Sequence, residues 1–262
     1  MIECRCCKQN KTFKIFSAKV LSKNVQYFEC ENCKYVFTEE PTWLDLAYKD
    51  SINDSDTGIM SRNLSNVNLV MATLTLTGLR SSKIVDCAGG YGLLVRLLRD
   101  IGVNALWTDP YTKNLVAKGF EYKNNDTARM VTIFETFEHF TRPCEEMAKL
   151  INTAPNILMT TLVIPQPAPK PLDWWYYGLD HGQHVGFFRI ETLQYIAKEF
   201  NLNLITDGNS RHFFSKRKYS FHMWKLLTIL ANRFPKLFSI GLKSKTWEDH
   251  LSISKNFSNF DY

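Results

Sequence analysis

Between Lys83 and Gly102 the chain reads KIVDCAGGYGLLVRLLRDIG: a short apolar run, three glycines in four positions, then apolar residues at helical spacing up to a closing glycine. This string constrains the fold more than any other. A short run containing Ile and Val reads as a strand, and leucines recurring three and four apart read as one face of a helix. Gly89, Gly90 and Gly92 let the backbone turn tightly and approach a bound group closely, because no Cβ intervenes. A helix starting near Leu93 then aims its first amides at that group.

The alternation continues along the chain. NALWTD is the next strand, MVTIFET another, RPCEEMAKLINTA a helix with Pro143 in its first turn, and NILMTTLVI a fourth strand. IETLQYIAKEFN follows as a helix and LNLIT as a last strand. This pattern predicts a parallel sheet with helices on both faces. Residues 41–80 read as helical, with Gly78 ending the longest stretch. At 262 residues, 45% hydrophobic and 22% charged, the chain can bury a sizeable core and has an ordinary globular composition. It contains no apolar run of the roughly 18 residues that a spanning helix needs. MIECRCCKQNKTF has no apolar signal core. These features predict a cytoplasmic protein, in which clustered thiols are metal ligands before they are disulfides.

Two carboxylates narrow what the glycine turn can hold. Asp86 ends the strand before it, and Asp109 ends the next strand, 23 positions on. A dinucleotide site needs G-x-G-x-x-G to admit a pyrophosphate. Here Leu94 and Val95 stand where the last glycine belongs. A nucleoside without phosphates, its cationic end near Asp86 and its ribose hydroxyls on Asp109, describes S-adenosylmethionine (SAM) better than a nicotinamide dinucleotide.

At these residues the chain resembles the class I SAM-dependent methyltransferases, whose motif is an acid followed by three glycines at alternate positions. The segment here is Asp86-Cys87-Ala88-Gly89-Gly90-Tyr91-Gly92, with Ala88 in place of the first glycine. The resemblance spans about residues 40–205. It implies a Rossmann-like sheet and cofactor contacts from Asp86, Ala88, Gly89, Gly90, Gly92 and Asp109. TIFETFEHF (132–140) resembles the family's fourth-strand segment, which implies that Phe134 and Glu135 also line the cofactor. DTGIMSRN, AGGYGLLVRLLRDIG and DWWYYGLDHGQHVGFF together resemble a narrower subgroup associated with bacterial surface-polysaccharide gene clusters. That likeness implies an acceptor that is a sugar, or a sugar-linked phosphate or nucleotide, destined for capsule or lipopolysaccharide. A cysteine-rich N-terminus is also similar to that of nucleotide-sugar methyltransferases, which carry a further C-terminal domain.

Cys4-x2-Cys7 and Cys30-x2-Cys33 form two knuckles 22 residues apart. Each offers two sulfurs about one turn apart, and four thiolates close a tetrahedral zinc site with no open position, hence a structural one. Zinc would replace the core that a 40-residue segment cannot build. Cys6 fits the spacing less well, and Cys87 and Cys144 have no partner in sequence. Ribbons of this kind can bind RNA, but residues 1–40 hold few interleaved aromatics expected to be exposed in a nucleic-acid reading motif.

The stretch PQPAPKPLDWWYYGLDHGQHVGFF is too long and too aromatic for a plain connector. Between Asp173 and His184 it places two Trp, two Tyr and two His. Aromatic faces stack on sugar rings and on nucleobases. Methylation of oxygen requires the hydroxyl proton to leave, a task for a neutral imidazole. The candidates are His181 and His184, oriented by Asp180 or Asp173 and flanked by Tyr177, together with His139 of FETFEHF. His181, His184 and Asp180 could alternatively hold a metal, or one histidine could be a core hydrogen-bonder.

Residues 211–245 carry nine Lys or Arg and no acid, against a net charge of +6 for the whole chain. HMWKLLTILANRF within them is amphipathic. It is expected to pack as a helix with a basic outer face, with an anionic membrane surface or a phosphorylated substrate as functional partners. The expected organisation is a zinc-binding ribbon over 1–40, a methyltransferase domain over 41–210 and a basic C-terminal extension over 211–262. The expected activity is O-methylation of a sugar-linked small molecule or glycan, with a histidine of DHGQH as base. The alternatives are nucleotide-sugar C-methylation and an RNA-directed zinc-ribbon protein.

Overall fold

In a computed structural model, residues 2–48, 56–123 and 126–257 are described. The remainder of the expected helical stretch over 41–80 and the end of the basic extension lie outside them. The elements run β1 (Thr12–Val20), β2 (Lys23–Cys30), β3 (Val36–Thr38), α1 (Leu44–Ala47), α2 (Ile59–Thr77), β4 (Lys83–Cys87), α3 (Leu93–Asp100), β5 (Asn104–Thr108) and β6 (Met130–Phe134). They continue α4 (Pro143–Thr153), β7 (Asn156–Thr160), β8 (Gly186–Phe187), α5 (Ile190–Glu199), β9 (Asn203–Thr206), β10 (Arg211–Ser215), α6 (Phe221–Arg233), α7 (Pro235–Phe238) and α8 (Thr246–Phe257). The strands form a six-stranded sheet in the order β5-β4-β6-β7-β10-β9 and a four-stranded sheet β1-β2-β3-β8. Strand β4 pairs in parallel with β5 and β6. The result is the expected α/β sheet with helices alternating along it.

The chain divides into two compact units, and neither follows the expected linear segments. One comprises residues 1–55 and 133–218, the other 56–132 and 219–262. In the first, the N-terminal hairpin β1–β2 continues through β3 to a fourth strand, β8, that no local pattern announced. Its apolar side chains do not stand alone over a metal. Val20, Val25, Tyr27 and Val36 share a core with Trp43, Tyr176, Tyr177 and Phe187. The expectation that residues 1–40 lack a core is therefore corrected: the aromatic loop supplies it.

The boundary expected at residue 210 is also corrected. Arg211–Ser215 is an interior strand, antiparallel to both β7 and β9, with Phe213 and Phe214 fully buried. The turn before it is built by Asp207, whose carboxylate accepts the amides of Asn209, Ser210 and Arg211. Cations at both ends of RHFFSK made this short apolar strand read as part of a charged tail.

In the second unit, Gly78 closes α2 in the left-handed conformation, φ 71°, with its amide on the carbonyls of Leu74 and Thr75. Helix α6 buries Trp224, Thr228 and Ala231, one face at helical spacing. The Trp224 indole donates to Thr73 Oγ1 of α2 at 2.9 Å. Helix α8 is pinned by Asp249, which receives both ends of the Arg99 guanidinium at 2.6 and 2.8 Å and Arg96 at 2.9 Å. Burial raises the Asp249 carboxyl, but the hydrogen bonds from Arg99 and Arg96 outweigh it and hold the group below the usual carboxylate range. Among the described residues no helix is long and apolar enough to cross a membrane.

Candidate functional site

The glycine turn of the second unit is built as a cradle. Ala88 takes φ 54°, a left-handed conformation that costs an L-residue roughly 1–2 kcal/mol. The surroundings hold it there. A Cβ on Gly89 would lie 2.7 Å from the Trp107 ring and 2.9 Å from Asp86 Oδ2, so only glycine fits. Gly90, at φ 52°, has open space where a Cβ would be. Its carbonyl accepts the Trp107 indole N–H at 2.8 Å, and its amide donates to Asp109 Oδ2 at 3.0 Å. Asp109 also accepts the amides of Tyr111 and Thr112, each at 2.8 Å. The carboxylate expected to serve ribose hydroxyls thus already shapes the turn.

Asp86 is buried, and Thr132 donates its hydroxyl to Oδ1 at 2.7 Å. Burial pushes its carboxyl up to about 7, against the pull of the Thr132 hydrogen bond and with a further push from the Asp109 charge. Among the described residues no cation pairs with this buried carboxyl, and beside an open glycine it suits a ligand that brings positive charge.

In the first unit, Phe134 ends β6 and Glu135 follows at φ 49°, with its amide on the Thr160 backbone and hydroxyl oxygens at 3.1 Å each. A left-handed non-glycine residue immediately after a strand is a frequent mark of a functional site. Beyond it, three histidines lie in a row: the rings of His139 and His184 are 4.9 Å apart, and those of His184 and His181 also 4.9 Å. Burial holds all three below the usual imidazole range, so they are neutral at pH 7.

Their hydrogen bonds assign their nitrogens. His184 Nδ1 donates to the Tyr176 carbonyl at 2.6 Å, which leaves Nε2 as its lone-pair nitrogen. His181 Nδ1 instead accepts the Gln183 amide at 3.1 Å, so the proton of its neutral ring sits on Nε2. His139 Nδ1 meets the Tyr48 hydroxyl at 2.8 Å. Asp180 is exposed beside this row.

Tyr177 does not join the cluster. It is fully buried in the aromatic core, and its hydroxyl donates to the Pro169 carbonyl at 2.9 Å. Tyr176, one residue earlier, is the tyrosine that reaches the site, donating to Glu138 Oε1 at 2.7 Å. Neither Glu138 nor Tyr48 was singled out in the sequence. The signal available was the adjacent pair Glu138-His139, but its partners come from distant parts of the chain. Of the four loop aromatics only Trp175 is widely exposed, at 78%.

The four knuckle cysteines converge. Their sulfurs lie within 4.8 Å of one another, all buried, with Cys4–Cys33 at 3.6 Å and Cys7–Cys30 at 3.5 Å. Zn–S bonds of about 2.3 Å in a tetrahedron set sulfurs roughly 3.8 Å apart, so the cage suits that ion. Cys6 stands beside the cage, interacting with Cys33, and its sulfur also lies 3.6 Å from Cys144, a partner that sequence spacing did not suggest.

Residues 61–207, more than half of the chain, match the family model described as "Methyltransferase domain". The chain belongs to this family. It is accordingly a methyltransferase. Among solved structures, an O-methyltransferase family protein from Burkholderia thailandensis is similar at 13% identity and TM-score 0.50, over 68% of this chain and 64% of that one. The magnesium protoporphyrin IX methyltransferase of Synechocystis PCC 6803, solved with bound SAH, is similar at 14% identity and TM-score 0.45, over 65% and 90%. Human N-acetylserotonin methyltransferase in complex with SAM gives 12% and 0.42, over 67% and 66%. At 13% identity the likeness to the Burkholderia protein concerns the fold alone. No curated protein matches the chain.

Proposed function

We propose that this methyltransferase uses SAM and methylates a hydroxyl of a sugar-linked acceptor, as in capsule or lipopolysaccharide assembly. The observation that carries the cofactor reading is the glycine cradle, with a vacant Cβ position at Gly90 and a buried, cation-seeking Asp86. When bound, SAM supplies an electrophilic methyl on sulfur, which the acceptor oxygen takes as the S–C bond breaks. The histidine row around His184 activates the hydroxyl, because His184 presents a lone pair on Nε2 while its other nitrogen is fixed. Exposed Trp175 offers a face for a sugar ring. The four-sulfur cage is read as a structural zinc site.

Incubation with methyl-labelled SAM and a panel of nucleotide sugars and lipid-linked sugars tests the reading. The product should carry its new methyl on oxygen, and His184→Gln should slow transfer about 10²-fold with SAH affinity retained. A methyl on carbon, or unchanged turnover in the variant, would remove the hydroxyl assignment.

The outer faces of α6 and α7 support contact with an anionic bilayer, where such acceptors are assembled. Met223, Leu226, Ile229 and Leu237 are exposed there beside Lys225, Arg233 and Lys236. Co-sedimentation with phosphatidylglycerol vesicles should be strong at low salt and lost at high salt. Equal behaviour with neutral vesicles would count against it.

A further inference from the structure

Glu138 is fully buried, and only one of its carboxylate oxygens is accounted for. Oε1 accepts the Tyr176 hydroxyl, whereas Oε2 has no hydrogen-bond partner. A buried, unpaired carboxylate oxygen is costly unless a proton or a cation meets it. What lies beside it is not a cation but two imidazoles: one donor atom from each of Glu138, His139 and His184 falls within 4.8 Å of the others.

The second layer is built in the way that metal ligands usually require. A ligating histidine is commonly held through its other ring nitrogen, and a ligating carboxylate is itself hydrogen-bonded. His184 is held by the Tyr176 carbonyl, His139 by the Tyr48 hydroxyl and Glu138 by the Tyr176 hydroxyl. The Tyr176 hydroxyl is in turn fixed by the Leu162 amide at 3.0 Å. One tyrosine thus orients two of the three groups, one through its backbone and one through its side chain.

We propose that Glu138, His139 and His184 hold a first-row divalent transition ion to which the acceptor hydroxyl binds. Two imidazoles and one carboxylate are a donor set for zinc, manganese, cobalt or ferrous iron rather than for magnesium or calcium. Three protein ligands leave positions open for water and a hydroxyl, unlike the closed four-thiolate cage. The inference rests on the reading that the hydroxyl is activated at this cluster, and it changes the means. A hydroxyl on the ion loses its proton to water at a lower pH than a free one. The alkoxide so formed carries the lone pair that makes the new O–C bond. This metal set differs from the one the loop suggested. Asp180 is not in it, and His181, whose Nδ1 is occupied by the Gln183 amide, stands next to it.

Cobalt titration of the metal-stripped full chain tests this, because the two cages have different spectra. Co²⁺ in the cysteine cage gives intense sulfur-to-metal bands in the near ultraviolet. Co²⁺ on nitrogen and oxygen gives only weak visible bands. Two phases are expected in the wild-type protein, one of each kind. Glu138→Gln, nearly isosteric, should abolish the second or weaken it at least 100-fold, and leave the first intact. Tyr48→Phe should weaken the second about tenfold, as loss of an outer partner does. A single phase with sulfur bands in the wild-type protein overturns the proposal whatever the variants do. If that protein still gains thermal stability from SAH and still methylates oxygen, only the ion fails and the functional reading stands.

Discussion

Gly90→Val is expected to abolish cofactor binding while leaving the protein folded. The two effects separate because of what surrounds this glycine. Apart from its two chain neighbours, a Cβ at Gly90 meets no atom of the described residues within 4 Å, so valine would fill the cradle rather than strike its walls. Its φ of 52° would cost a β-branched residue roughly 1–2 kcal/mol, a tolerable loss for a domain of this size. SAH at about 100 times its dissociation constant should stabilise the wild-type protein by about 2.7 kcal/mol, several degrees in the melting midpoint. In the variant the shift should vanish, and methyl transfer with it. An undiminished shift would place the cofactor elsewhere.

The same titration repeated with SAM across pH 6 to 8 examines the charge argument. Burial raises the Asp86 carboxyl to about 7. The folded state therefore keeps a proton that the unfolded chain releases above about pH 4, and Asp86 lowers stability as pH rises from there to about 7. A cationic ligand reverses this cost, so SAM affinity should rise with pH up to that point, by at most about tenfold per unit.

What could be read from the sequence was what is local. The Asp86–Gly92 turn, the Gly78 helix stop and the paired cysteines each depend on residues within a few positions. Their geometry follows from backbone freedom and spacing. What could not be read was pairing at a distance. Strand β10 needs β7 and β9 on its flanks before RHFFS is anything but a basic segment. Tyr176 and Tyr177 are indistinguishable in sequence. Both rings lie in the core that the loop shares with β1 to β3, yet one turns its hydroxyl to Glu138 and the other to the Pro169 carbonyl, a difference that tertiary packing alone decides. Glu138 was hidden for the same reason. Its chemistry comes from Tyr176, 38 residues away, and from His184 beyond it.

The packing of that loop on the cysteine-bearing sheet leads to the second large effect. Cys33→Ser should remove one equivalent of zinc and slow methyl transfer, yet spare the SAH shift. Arg5 carries the link. It sits between Cys4 and Cys6, is buried, and donates to the carbonyls of Thr38 at 2.9 Å and Val185 at 3.1 Å. Val185 follows His184 directly, and Gly186 pairs with Phe37 of the same sheet. Opening the knuckle frees Arg5 and slackens the strand that sets the His184 ring. A displacement of about 1 Å at such a ring can cost 10²-fold in rate. The glycine cradle draws on none of these residues, so SAH affinity should hold. Elemental analysis, a melting series with SAH and initial rates together decide the matter. Full zinc content in Cys33→Ser would refute the four-thiolate reading. Loss of zinc with unchanged rates would show that the cage stabilises its own strands and nothing beyond them. Loss of zinc with slowed transfer and an intact SAH shift would make the metal a positioning device for the histidine row, acting through Arg5 on the residue next to His184.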